Sequence, residues 1–131
     1  MKALIPLKSF LAEKLPEMSQ DKCHLLIVNG NQAQGYMEYT VRILLLDYRG
    51  DPVEVLMLVR HWLQSKNLHL DAAKKDIQIS FSSEIIDTNT FDLEIDFPQR
   101  DKIVSGENGY HVCPEMVWSD DQDKFVPAGT E

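Results

Sequence analysis

An α+β fold, a mainly antiparallel twisted sheet packed against one long and one short helix, is what this sequence predicts, on three observations. The first is strand periodicity: YMEYTVRILLLD at 36–47 and FDLEIDF at 91–97 alternate apolar and polar residues with a period of two. The second is PVEVLMLVRHWL at 52–63, with apolar residues at helical spacing behind a proline. The third is a short N-terminal run in which Leu4, Leu7, Leu11 and Leu15 recur every three or four residues.

In chain order, those leucines share one face of a short amphipathic helix that Pro16 should terminate. Lys8 and Glu13 interrupt the apolar run, so it reads as a helix of the mature chain rather than a secretory signal. CHLLIVN at 23–29 reads as a strand, and GNQAQG at 30–35 as a flexible hairpin connection. The next strand, from Tyr36, puts Met37, Tyr39, Val41 and Ile43 on one face and Glu38, Thr40 and Arg42 on the other. Beyond Ile43 it is apolar on both faces. A strand half-exposed at its start and covered on both sides at its end is therefore expected.

The turn DYRGDP leads into the long helix. Asp51 is placed as its N-cap, Pro52 as the first helical residue, and Glu54 as the third residue of a capping-box-like start. Val55, Leu56, Val59, Trp62 and Leu63 form the apolar stripe, which Met57 and Leu58 widen beyond the roughly 100° that a surface helix needs. Trp62 reads as core, with an interface role compatible if the helix lies near a subunit boundary. IQISFSSEIID and FDLEIDF, joined at DTNT, form a hairpin. Phe91, Leu93, Ile95 and Phe97 then face the core, and Asp92, Glu94 and Asp96 face water. Pro98 should end pairing, and a short strand near Ile103 and Val104 should turn through GENG into YHV. One domain is expected over 1–113. The acidic segment 114–131 reads as an extended or disordered tail, in which Trp118 and Phe125 suggest docking on another subunit.

Composition narrows the function classes. The chain has 131 residues, a single-domain length, and a net charge of −8 that repels nucleic-acid phosphates and anionic membranes. Its longest apolar runs are far too short to span a bilayer. Two cysteines, Cys23 and Cys113, do not form a disulfide framework and point to a reducing compartment.

Chemistry-bearing residues are present without a catalytic arrangement. Asp87, Asp92 and Glu94 invite a metal-dependent hydrolase, but Pro98 stands where such nucleases carry lysine, and alternate acids on one strand are more simply a solvated face. Cys23, His24, His111 and Cys113 are zinc-ligand types, yet neighbours on a strand point to opposite faces. His61 and His69 have no nucleophile in a recognisable motif beside them, and NGNQAQG is not a phosphate-binding fingerprint. No catalytic residue, metal site or cofactor is expected.

The run YTVRILLLDYRGDPVEVLMLVRHWLQ, followed by ISFSSEIIDTNTFDLEIDFPQRDKIV, resembles the tail completion protein R family of peduovirus-type contractile-tailed phages. The likeness lies in order and spacing: a strand ending in Asp47, the turn of Gly50, Asp51 and Pro52, a helix closing on Trp62 and Leu63, then Asp87, Asn89, Thr90, Asp92 and Glu94. It covers most of 1–113 and departs after Pro98, where QRDKIV replaces a more typical LTERV-like run.

The resemblance implies a non-enzymatic virion component with a tail-terminator-like fold, assembled in the host cytoplasm, that completes the tail for joining to the head. Its partners would be copies of itself in a ring, commonly six, the tail tube or other completion proteins, and the head-side connector. A ring needs two different sticky surfaces. Tyr36 and Tyr39 at the strand start, Met57, Leu58 and Trp62 on the helix, and Trp118 in the tail are the candidates. Asp92, Glu94 and Asp96 are the candidate channel- or partner-facing surface. An assembly chaperone absent from the particle is the alternative within the same class.

Overall fold

A computed structural model of the chain describes residues 1–71, 73–107, 109–113, 116–119 and 124–127. After a turn of 3-10 helix come α1 (Ile5–Lys14), β1 (Cys23–Ala33), β2 (Tyr36–Tyr48), α2 (Pro52–Ser65), β3 (Ser80–Asp87), β4 (Thr90–Gly106) and β5 (Gly109–Cys113). The sheet order is β1-β2-β4-β3, with β5 also on β4, and every pairing is antiparallel. The expected α+β class is the observed one.

The alternation read in the sequence decides which side the helices occupy. Val41, Ile43 and Leu45 of β2 stand opposite Phe97, Ile95 and Leu93 of β4, and all six are buried. Above them pack Leu7, Leu11 and Leu15 with Val55, Val59, Trp62 and Leu63. Each such leucine or valine contributes on the order of 1.5–3 kcal/mol by leaving water.

The α2 start follows the sequence closely. Asp51 is extended, its Oδ1 accepts from Val53 N–H at 2.9 Å, and Pro52 opens the helix. Glu54 sits three residues on, but among the described residues its side chain makes no return bond to Asp51, so the cap is the aspartate alone. Asp51→Ala should therefore cost ~1 kcal/mol, checked by chemical denaturation. An unchanged midpoint would show that the helix start does not depend on this bond.

Four expectations are corrected. The connection after β1 is not a flexible loop: β1 runs through Ala33 and turns at Gln34 and Gly35, whose φ values of 52° and 78° suit a two-residue hairpin turn. Gly30 allows this, because a Cβ there would lie 3.0 Å from both the Glu38 carbonyl and the Tyr39 Cβ. The strand expected from Ile77 starts at Ser80. Ile77 N–H donates to His69 O at 2.9 Å, and its carbonyl accepts from Arg60 Nη2 at 3.2 Å, so its backbone serves the preceding loop and α2.

Pro98 does not end β4, which continues to Gly106 with Pro98 opposite Thr40. On the other flank β3 reaches only Asp96 and β5 begins only at Lys102. Among the described residues that flank carries no strand at the proline, the kind of position that tolerates a missing N–H. Next to it, buried Gln99 donates from Nε2 to Leu68 O at 3.0 Å. Finally, Tyr39 is not part of an exposed strand start. It is buried, because β4 brings Asp101 to within 3.0 Å of its hydroxyl.

Gly106 pairs with Gly109, closing the β4–β5 hairpin across GENG as expected. Within 114–131, β6 (Met116–Ser119) and β7 (Lys124–Pro127) pair with each other. The backbone of Trp118 belongs to β6, and its side chain lies outside the described residues.

Candidate functional site

Register builds the outer face of the sheet, away from the helices. Arg42 stands opposite Asp96, Leu44 opposite Glu94, and Glu84 opposite Asp92, so Asp92, Glu94 and Asp96 do line one row. All three are half-buried rather than free in water. Arg42 holds Asp96 in a two-pronged grip, Nε to Oδ1 at 2.9 Å and Nη2 to Oδ2 at 3.0 Å, and reaches Glu94 Oε1 at 2.8 Å. The bond to Asp96 raises the guanidinium pKa further, with Glu94 adding to it. Asp92 Oδ1 accepts from the Asp47 N–H at 3.0 Å. The face read as solvated acids is therefore a paired lattice, and its repulsive field is weaker than three bare carboxylates would give.

The residues proposed for subunit contacts separate by depth. Trp62 and Tyr39 are buried inside the subunit, Leu58 and Tyr36 are half-buried, and Met57 is 60% exposed. The Tyr36 ring is covered by Arg100, whose guanidinium carbon lies 3.7 Å from the ring centroid, and Arg100 Nε reaches Glu38 at 3.4 Å. This stacking fixes the ring with little rotamer freedom left to lose on contact. Trp62 and Tyr39 thus shape the accessible surface from beneath.

The hydrolase and zinc sets are not assembled. Asp87 Oδ1 accepts from Asn89 N–H at 2.9 Å; this backbone bond and the Thr90 side chain hold its carboxyl below the usual range, as a turn-former rather than a base. Among the described residues no three His, Cys, Asp or Glu side chains are placed to hold a metal ion. Cys23 is buried against the core, with its thiol pKa pushed up by burial, while His24 and His111 are exposed on β1 and β5. His61 is exposed, and among the described residues His69 has a buried Nδ1 without a partner. Among the described residues no helix is long and apolar enough to cross a membrane.

Where β2 enters α2, an open charged cleft is lined by Glu17, Ser19, Lys22, Asp47, Arg49 and Asp87. Lys22 Nζ pairs with Asp47 at 2.8 Å across it, and Ser19 donates to Asp21 at its rim. Beside it Tyr48 is buried, with its hydroxyl 3.4 Å from Glu17 Oε1; burial first, then Glu17 and Glu54, push it up to about 12. An unfolded tyrosine ionises near pH ~10. The neutral ring's contribution is thus complete below about pH 10 and is lost as pH climbs towards about 12. Denaturation midpoints should fall across that window, and Tyr48→Phe should flatten the fall; an unchanged slope would remove Tyr48 from the account.

Sequence reasoning missed two things. One is Arg42 as the hub of the outer face, signalled only by its being the lone basic residue between 36 and 48. The other is the exposed apolar residues at the two outer strands, Leu26 and Ile27 on β1, and Phe81 and Ile85 on β3.

The family model described as P2 phage tail completion protein R (GpR) matches residues 1–118 of the 131. No curated protein and no solved structure matches the chain.

Proposed function

Because the chain belongs to the P2 phage tail completion protein R (GpR) family and is a phage tail completion protein, we propose that it is a non-enzymatic virion component that caps the tail tube and prepares it to join the head. The family match over residues 1–118 carries this reading. The folded chain is compatible with it, since side chains such as Met57 stay accessible to other proteins.

In this proposal copies form a ring on the end of the tube in the host cytoplasm and stay in the finished tail. Met57, Leu58 and Tyr36 supply accessible contact surface, Trp62 and Tyr39 support it from inside, and Trp118 docks with the tail segment. The row of Asp92, Glu94 and Asp96 faces the channel or the tube. Six copies at −8 each would carry −48, a field that lets DNA pass without sticking.

Deleting the gene from a phage or inducible prophage should leave tails and filled heads unjoined, with plaque formation restored by the wild-type gene in trans. Normal particles from the deletion would refute the proposal. Immunodetection of the chain in purified virions separates a resident protein from a chaperone, which would be absent. The outer face is tested by Asp92→Asn, Glu94→Gln and Asp96→Asn together, since lysines would set new cations against Arg42. The triple variant should fold and lower phage yield; undiminished yield would remove the acidic face from the function.

A further inference from the structure

We propose that copies of this chain join edge to edge, β3 of one against β1 of the next, to continue a single antiparallel sheet. The inference rests on the reading that the protein acts as an assembly of identical copies.

Among the described residues both outer strands have an unpaired edge: β1 bonds only to β2, and β3 only to β4. Monomers usually blunt such edges with lysine, proline or another charge. From Cys23 to Ala33 β1 has none of these, and it exposes Leu26, Ile27 and Val28 in succession. On the other outer strand Phe81 is 59% and Ile85 72% exposed, although Phe81 stands beside buried Ile95 and Ile85 beside half-buried Phe91. The helices stop short of them.

Three further exposed apolar side chains fall at the same two ends. Ile5 lies on α1, which packs beside β1. Val53 and Met57 lie on α2, whose Arg60 bonds to Ile77 on the approach to β3. One β1–β3 junction would cover both groups at once, whereas β1 on β1 would leave the Phe81 side open.

Direction and charge select the same junction. Strand directions alternate along β1-β2-β4-β3, so β3 runs opposite to β1. Copies set side by side in one orientation therefore meet in an antiparallel pair, a head-to-tail contact that can close by rotation. Pairing β3 with itself would bring Glu84 and Asp87 against their own copies. Pairing it with β1 meets a strand with no acid, preceded by Lys22. Rows across the outer face run Leu26, Arg42, Asp96, Ser80. Continued straight, they set Leu26 of one copy beside Ser80 of the next.

The test uses the full chain with Cys113→Ser, leaving Cys23 buried. Leu26→Cys and Ser80→Cys preparations are mixed at concentrations where native mass spectrometry shows assemblies, then treated with a bifunctional thiol reagent of about 8 Å reach, the span of a diagonal cross-strand pair. A mixed 26–80 adduct exceeding either like-with-like adduct about tenfold is expected. Like-with-like adducts in excess would overturn the junction, and so would intact assemblies giving no adduct, while self-association itself would stand. A chain that stays single at every concentration would overturn both. Independently, Leu26→Glu should weaken assembly about tenfold without changing the circular dichroism spectrum, and adding Ser80→Lys, directly opposite in this register, should restore it. Failure of the second change to rescue would count against the pairing.

Discussion

Trp62→Ala is expected to remove about 3–5 kcal/mol of folding stability, read from urea unfolding followed by circular dichroism. Trp62 is 4% exposed, in the last turns of α2. It packs in the cluster that joins α2 to the inner face of β2 and β4. The backbone there would not repack to fill the space: Ser65 Oγ donates to the Trp62 carbonyl at 2.7 Å, and Lys66 N–H to the same oxygen at 3.1 Å. Small domains have about 5–15 kcal/mol in total, so the variant should accumulate poorly in cells. A loss below ~1 kcal/mol would mean the indole is not packed as described. Met57→Ala is the control: its side chain lies in water, so stability should change by less than about 0.5 kcal/mol, while assembly should weaken if the helix carries a subunit contact.

Gly50→Ala is expected to cost about 1–3 kcal/mol, although alanine ordinarily favours order over glycine. A Cβ at Gly50 would overlap the Tyr48 hydroxyl and stand 2.5 Å from its Cζ. The ring cannot swing aside freely, because it is 1% exposed and belongs to the core cluster. Strain here would spread to the β2–α2 joint as a whole. That joint is held by Asp92 on the Asp47 N–H, by Lys22 on the Asp47 carboxylate, and by Asp51 on the helix start. The double variant Tyr48→Phe with Gly50→Ala should recover part of the loss, since the overlapping hydroxyl is gone. An equal loss in both backgrounds would locate the strain elsewhere.

The sequence revealed what depends on local pattern. Alternation put Val41, Ile43, Leu93 and Ile95 on the buried side, and Asp51 before Pro52 marked the helix start, because a cap and a period are properties of neighbours in the chain. What it hid depends on strand register. The grip of Arg42 on Asp96 joins residues 54 apart in sequence. The burial of Tyr39 needs Asp101, 62 residues away. Pro98 looked like a strand terminator because its cost depends on which flank is vacant, and that is decided by where β3 ends and β5 begins. Likewise, the exposure of Phe81 and Ile85 on β3 is set by what packs over the sheet, not by the strand's own pattern.

The length of β4 bears on how the chain is made. At about 3.3 Å per residue, its 17 residues reach about 56 Å, and they take partners from β2, β3 and β5. β1 and β2 can zip locally as soon as they leave the ribosome, but their hairpin meets its other neighbour only after Gly106 has been synthesised. At about 5–20 residues per second, the Leu25 to Val28 stretch waits several seconds without a finished fold around it. Nascent chains stalled before residue 90 should therefore be held by chaperones and readily cut by protease, and those released after residue 113 should resist it.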